Sequence, residues 1–249
     1  MKLRGCECFN EFYNRQDELD DGLSGEEYEM LEQKPLTWQE KDFHRERPSE
    51  TSRAWDVVKE VIEHAARSNA TDLILSKLMD RDDYLALNTL PASIGNLKNL
   101  RRLVLYGSNI SYIPREIGGC VSLENFDPYC SYRLHWFPAE ILKCTLLRDS
   151  TVSTRALYGN YKLRPPFPNL RRKKWKWTNG PEVCASCETE SDDMEQYWVT
   201  RRVATDYLPL LTSVCSQACL SKLIPTNNKS YIQYPHQGSL MQKQPPMEF

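Results

Sequence analysis

A fixed period constrains this chain more than any other feature. Leu90-Pro91 is followed by Ile94-Gly95, Ile113-Pro114 by Ile117-Gly118, and Phe137-Pro138 by Ile141, so the anchors recur 23 and then 24 residues apart. Between them the apolar positions run Leu97, Leu100, Leu103, Leu105, Ile110, Ile113, and then Cys120, Leu123, Phe126, Pro128, Leu134, Phe137. A period of this length signals one supersecondary unit used repeatedly, each burying its apolar face against the next. Leucine is concentrated accordingly, with 17 of 29 lying between Leu73 and Leu163. A short strand in each unit places Leu103 and Leu105 inward and Arg102, Val104 and Tyr106 outward. Proline has no N–H for a ladder, so the proline at each anchor suits the return connection rather than the strand.

The segment LPASIGNLKNLRRLVLYGSNISYIPREIG resembles the leucine-rich repeat family in its short intracellular-type version. The family pattern Leu-x-x-Leu-x-Leu-x-x-Asn-x-Leu-x-x-Leu-Pro runs over residues 85–142. The Asn position falls on Ser108 and Ser131, and Pro128 replaces a strand leucine. An imperfect unit continues through Leu147, Val152 and Leu157. Upstream, TDLILSKL resembles a first strand, and a seven-residue excess before Leu90 implies an insertion around Met79–Tyr84. The resemblance implies an α/β solenoid, a short repeat array whose concave strand face binds another macromolecule. Its register gives three outward columns: Asp72, Arg102 and Asn125; Ile74, Val104 and Asp127; Ser76, Tyr106 and Tyr129. Arg102, Val104, Tyr106, Asn125, Asp127 and Tyr129 are therefore the expected partner-binding residues, Tyr and Arg being enriched in interface hot spots. The competing reading is that these are ordinary solvent-facing strand positions.

The flanks differ from the repeats. From Thr51 a helix is expected, capped by Thr51 or Ser52, with Trp55, Val58, Val61, Ile62, Ala65 and Ala66 at helical spacing and Asn69 ending it. At 51–67 this helix would supply the N-terminal cap that a solenoid needs. Residues 1–50 hold 14 acids against seven bases and little apolar period, which predicts an acidic, partly disordered arm. Beyond Pro225 the Pro-, Gln- and Asn-rich chain predicts an extended tail over 225–249. The expected organisation is thus an arm at 1–50, cap and repeats at 51–163, a basic-aromatic linker and small C-terminal module at 164–224, and the tail.

Nine cysteines is an odd number, and Glu7 interrupts the opening segment where a secretory leader needs apolar residues. Both favour reduced thiols in the cytoplasm over a disulfide framework. Cys184 and Cys187 form a C-x2-C pair, Cys215 and Cys219 a C-x3-C pair, and 27 residues separate the pairs. Two such pairs complete a closed tetrahedral four-thiolate zinc site, in which zinc is a structural staple with no open position for chemistry. VCSQAC resembles the Cys-Ser-x-x-Cys knuckle of treble-clef-like zinc fingers, and the second pair is expected to run into a helix packed through Ala218, Leu220, Leu223 and Ile224. Four unrelated thiols, or a redox pair at Cys184 and Cys187, are the competing readings. Cys120 and Cys144 fall at repeat positions that suit a buried thiol.

Arg164–Trp177 carries six bases and no acid, followed by five acids from Glu188 to Glu195. Arg171, Arg172, Lys173 and Lys174 with Trp175 and Trp177 fit a nucleic-acid site in which cations track phosphates and rings stack on bases. The net charge of −2 and the acids nearby favour packing or a protein contact instead. The four histidines lie in unlike settings, and no phosphate-cradling loop, nucleophile elbow or metalloprotease helix is present in the sequence. The expected function is a non-enzymatic protein-protein interaction module with structural zinc; nucleic-acid binding through 171–177 is the alternative, and no membrane span is expected.

Overall fold

The computed structural model describes residues 52–159, 167–177, 180–239, 242 and 244–245. The expected arm at 1–50, with Cys6 and Cys8, lies outside the described residues. The chain forms two compact units. Of the described residues, 52–154 join Arg201–Leu210 in one, and those within Arg155–Thr200 join those from Leu211 onward in the other.

The first unit begins with helix α1 (Arg53–Arg67). The Ser52 hydroxyl accepts a hydrogen bond from the Trp55 N–H at 3.2 Å, satisfying a donor of the open first turn. Asn69, at φ +51°, ends it in the left-handed region that asparagine tolerates. The buried stripe is Ala54, Val58, Ile62 and Ala65, the last three of them among the expected apolar positions and Ala54 an addition. Trp55, Val61 and Ala66 are half-buried at its margins.

Four short strands follow, β1 (Asp72–Ile74), β2 (Arg102–Val104), β3 (Asn125–Asp127) and β5 (Asp149–Ser150), forming a sheet in that order. All three pairings are parallel, and the register places Leu73 beside Leu103 beside Phe126, each fully buried. Asp72, Arg102, Asn125 and Asp149 form a row on the other side of the pleat. Each of the three connections between successive strands passes through a 3-10 turn: Ala92–Asn96, Arg115–Gly119 and Ala139–Lys143, every one preceded by its anchor proline. The insertion expected around Met79–Tyr84 takes the form of two short helices, Leu75–Leu78 and Arg81–Ala86.

Equivalent positions make equivalent contacts. Cys120 Sγ donates to the Ile94 carbonyl at 3.2 Å, and Cys144 Sγ to the Ile117 carbonyl at 3.3 Å. Burial pushes these thiols up to about 12 and about 11 respectively, so both stay protonated. The Ser108 and Ser131 hydroxyls meet at 2.8 Å, and Ser131 Oγ donates to the Leu105 carbonyl at 3.0 Å. Ser108 Oγ also accepts the Ile110 N–H at 3.4 Å, so both buried hydroxyls are satisfied within the unit. Tyr112 and Trp136 stack at 6.4 Å with their planes 6° apart.

A long hairpin, β8 (Glu195–Val203) and β9 (Asp206–Val214), turns at Ala204 and Thr205. With β4 (Phe137–Pro138) it gives a three-stranded sheet of order β4-β9-β8, in which Pro138 occupies an edge strand that can spare its N–H. The hairpin tip belongs to the repeat unit, where Ser150 Oγ donates to the Val203 carbonyl at 3.1 Å and Thr205 Oγ1 to the Ser150 carbonyl at 2.6 Å. The tip thereby closes the polar end left at β5, a partner more than fifty residues away in sequence that no local pattern signals.

The second unit packs Tyr158, Phe167, Trp198 and His236 into a ring cluster with centroid separations of 4.6–6.2 Å. The segment expected as an extended tail supplies part of this core. His236 exchanges backbone hydrogen bonds with Trp198 at 2.7 and 3.1 Å, Ile232 is buried, and the Gln244 side chain donates to Thr200 Oγ1 at 2.9 Å. A few apolar anchors with backbone pairing suffice to hold a segment whose composition alone reads as loose. Among the described residues, no helix is long and apolar enough to cross a membrane.

Candidate metal centre

Two elements of the second unit bring four cysteines together. Strands β6 (Glu182–Val183) and β7 (Glu190–Ser191) pair antiparallel, and the six residues between them carry Cys184 and Cys187. The Cys184 N–H donates to the Thr189 carbonyl at 2.9 Å and the Glu188 N–H to the Cys184 carbonyl at 2.9 Å, which curls the loop into a knuckle. Glu188 closes the turn at φ +60°. The Ala185 N–H ties the knuckle to β9 through the Ser213 carbonyl at 2.9 Å. Cys215 follows β9 directly, and Cys219 lies on the one-turn helix Gln217–Leu220, whose cap Ser216 accepts from the Cys219 N–H at 3.2 Å.

The four sulfurs lie within 4.8 Å of one another, so the group can hold a metal ion. Cys187 and Cys215 are 3.5 Å apart and Cys215 and Cys219 3.6 Å. A tetrahedral ion with thiolate bonds of about 2.3 Å needs sulfur–sulfur edges of about 3.8 Å, so the donor set fits in type, number and spacing. Cys184 and Cys219 are buried with Met194, Tyr197 and Val214, while Cys187 and Cys215 face solvent. Leu220 and Leu223 pack on this cluster as expected, but Ala218 is exposed and Ile224 is 72% exposed. A single helical turn presents one inward face, and Cys219 and Leu220 occupy it.

Hydrogen bonds around the sulfurs bias them unequally towards thiolate. Hydrogen bonds from Thr189, its hydroxyl above all, hold the Cys187 thiol down at about 6. Contacts with Cys187, Cys219 and Cys184 push Cys215 up to about 12, because it keeps the proton its neighbours give up. Burial raises Cys184, but facing N–H groups of Cys187, Ser186 and Cys215 outweigh it and the net direction is down. A divalent cation would replace the shared protons and make all four thiolate. Thr189 and the backbone donors were not singled out by spacing, although a hydroxyl two residues beyond a C-x2-C cysteine is a readable signal.

The other expected site residues are placed as follows. Arg102, Tyr106 and Tyr129 are exposed, and Asn125 and Asp127 are half-buried on the same sheet face. Val104, expected to point outward, is buried at 7% exposure and offers little contact surface. Tyr106 and Tyr129 lie 6.1 Å apart at a 41° tilt. The basic-aromatic stretch is knitted into its own unit. Arg171 Nε donates to Gln237 Oε1 at 2.7 Å, and Lys174 Nζ donates to the Met194 carbonyl at 2.7 Å. Trp175 exchanges backbone bonds with the buried Gln196 side chain, and Trp175 and Trp177 pack edge to face at 6.0 Å. Arg172 and Lys173 are half-buried. In comparisons with known proteins, no family model and no curated protein matches the chain.

Proposed function

We propose that the chain is a non-enzymatic interaction module: a short leucine-rich-repeat-type solenoid that presents its sheet face to a protein partner, followed by a module stapled by structural zinc. The observation that carries this reading is the parallel register of β1, β2, β3 and β5, which lines up residues one period apart and leaves Arg102, Tyr106 and Tyr129 solvent-facing together. Capping by α1 and by the hairpin tip accords with a quasi-one-dimensional array that needs both ends covered. Zinc is the preferred ion because four thiolates at tetrahedral spacing suit it, and with every protein position filled its role is structural. The treble-clef-like resemblance is supported by the order of knuckle, hairpin and helix turn. None of the described cysteines is paired in a disulfide, in keeping with a cytoplasmic setting that keeps them reduced.

Affinity capture with mass spectrometry tests the partner reading. The wild-type chain should retain a defined set of proteins, and Tyr106→Ala with Tyr129→Ala should lose them while the fold, read by circular dichroism, is kept. Unchanged capture by the double variant would refute the sheet face as the binding surface. Elemental analysis of purified protein should find one zinc per chain; its absence would remove the zinc assignment.

A further inference from the structure

The sheet face of the repeat unit carries a chemical bias that narrows its partner, and the narrowing rests on the reading of that face as a binding surface. Tyr106 and Tyr129 are 53% and 45% exposed, and their rings lie 6.1 Å apart at a tilt of 41°. Asp127 lies two residues before Tyr129, on the same side of the pleat. Its Oδ1 accepts the Tyr129 N–H at 3.1 Å, which fixes the carboxylate, while its second oxygen has no hydrogen-bond partner among the described residues. Along the face, Asp72, Asp127 and Asp149 stand against Arg102 alone, leaving a balance of −2. A carboxylate held beside two exposed electron-rich rings is matched by a planar cation that stacks and donates at once.

We infer that the corner formed by Tyr106, Tyr129 and Asp127 receives the guanidinium of an arginine in a partner protein. A guanidinium lays its plane on a ring and turns N–H donors to the free Asp127 oxygen, whereas a lysine ammonium is a hydrated point charge that cannot do both. Phosphate-bearing partners meet repulsion from the same three carboxylates. Both rings are exposed, which leaves a face for a flat cation to stack on.

The test is an NMR titration of the full chain with capped Gly-Arg-Arg-Gly, Gly-Lys-Lys-Gly and Gly-Glu-Glu-Gly peptides, following the tyrosine ring signals. The arginine peptide should bind about fivefold or more tightly than the lysine peptide, and the glutamate peptide should not bind. Asp127→Asn keeps the acceptor for the Tyr129 N–H but removes the charge, and should weaken the arginine peptide by about fivefold or more. Tyr106→Ala should do the same, and Tyr234→Ala, an exposed tyrosine of the other unit, should change nothing. Equal binding of the three peptides, no binding of any, or an unaffected Asp127→Asn overturns the inference. If the Tyr106→Ala, Tyr129→Ala variant still loses its captured proteins in that event, the sheet-face reading survives and only the arginine assignment fails. Unchanged capture would instead defeat the sheet-face reading itself.

Discussion

His236 shows how one residue sets a pH limit on its unit. Burial against Phe167 lowers its imidazole to about 4; Nδ1 accepts the Gly238 N–H at 3.1 Å, and Nε2 is buried without a hydrogen-bond partner. The folded form holds the ring neutral, whereas the unfolded chain protonates it near the ordinary value of about 6.5. Stability is therefore complete above about 6.5 and falls as pH drops towards about 4, by roughly 1.4 kcal/mol per unit and about 3 kcal/mol in all. Urea midpoints at pH 7.5, 5.5 and 4.5 should trace this loss. His236→Asn, whose Oδ1 can replace Nδ1 as acceptor, should flatten it, and an unchanged slope would assign the loss to other groups. Cys130 presents a different cost. It sits at φ +62°, one period after Gly107 at φ +68°, so a side chain occupies a left-handed position that glycine fills in the preceding unit. Cys130→Gly should raise the thermal midpoint, by about 1 kcal/mol of stability. A lowered midpoint would mean that the thiol contact with the Tyr132 hydroxyl at 3.7 Å matters more than the strain.

At the scale of elements, stacking of the 3-10 turns governs what each can tolerate. A Cβ on Gly95 would come within 2.6 Å of the Glu116 carbonyl oxygen, and one on Gly118 within 2.7 Å of the Glu140 oxygen. Both obstacles are backbone, which cannot swing aside. Gly118→Ala should thus destabilise the repeat unit by about 1–3 kcal/mol, as overpacking does, whereas Gly107→Ala meets no atom within 4 Å and should cost only its backbone strain. Denaturant unfolding of the two variants separates the cases. These turns were legible in advance because Pro and Gly recur with the leucines. The buried serine pair was legible too, as a departure at a known position. The stripe of α1 was legible at Val58, Ile62 and Ala65 but not at Ala54, whose small side chain carries too little hydrophobicity to stand out by type. Val104 was misplaced for a related reason: period two gives the side of the pleat but says nothing about what covers it. The hairpin tip had no signal, because the bonds of Ser150 to Val203 and Thr205 join segments that share no pattern. The four cysteines were the most legible group, as spacing encodes a tetrahedral donor set directly.

For the whole molecule, the division into two units determines how metal removal should read out. All four cysteines lie in the second unit, and its loop 184–189 has only a two-residue ribbon on either side to hold it. So short a ribbon is marginal without a cross-link. The repeat unit holds its own apolar column, Leu73, Leu103 and Phe126, and none of the four ligands. Because ligand binding and local folding are coupled, withdrawing the ion should release β6, β7 and the helix turn at Cys219 while leaving β2 and β3 intact. Hydrogen exchange before and after a strong chelator reads each segment separately. Amides of Cys184, Glu188 and Cys219, whose bonds shape the two knuckles, should lose most of their protection. Those of Leu105 and Asn125, bonded to the neighbouring repeats, should keep theirs. Restoring zinc should recover protection, whereas magnesium, which prefers oxygen donors, should not. Uniform loss across both units would mean that the ion supports the entire fold, and protection unchanged everywhere would mean that the four thiols stand without it. Serine in place of Cys219 should imitate the chelator with zinc present, since a hydroxyl at that position leaves three thiolates and an incomplete tetrahedron.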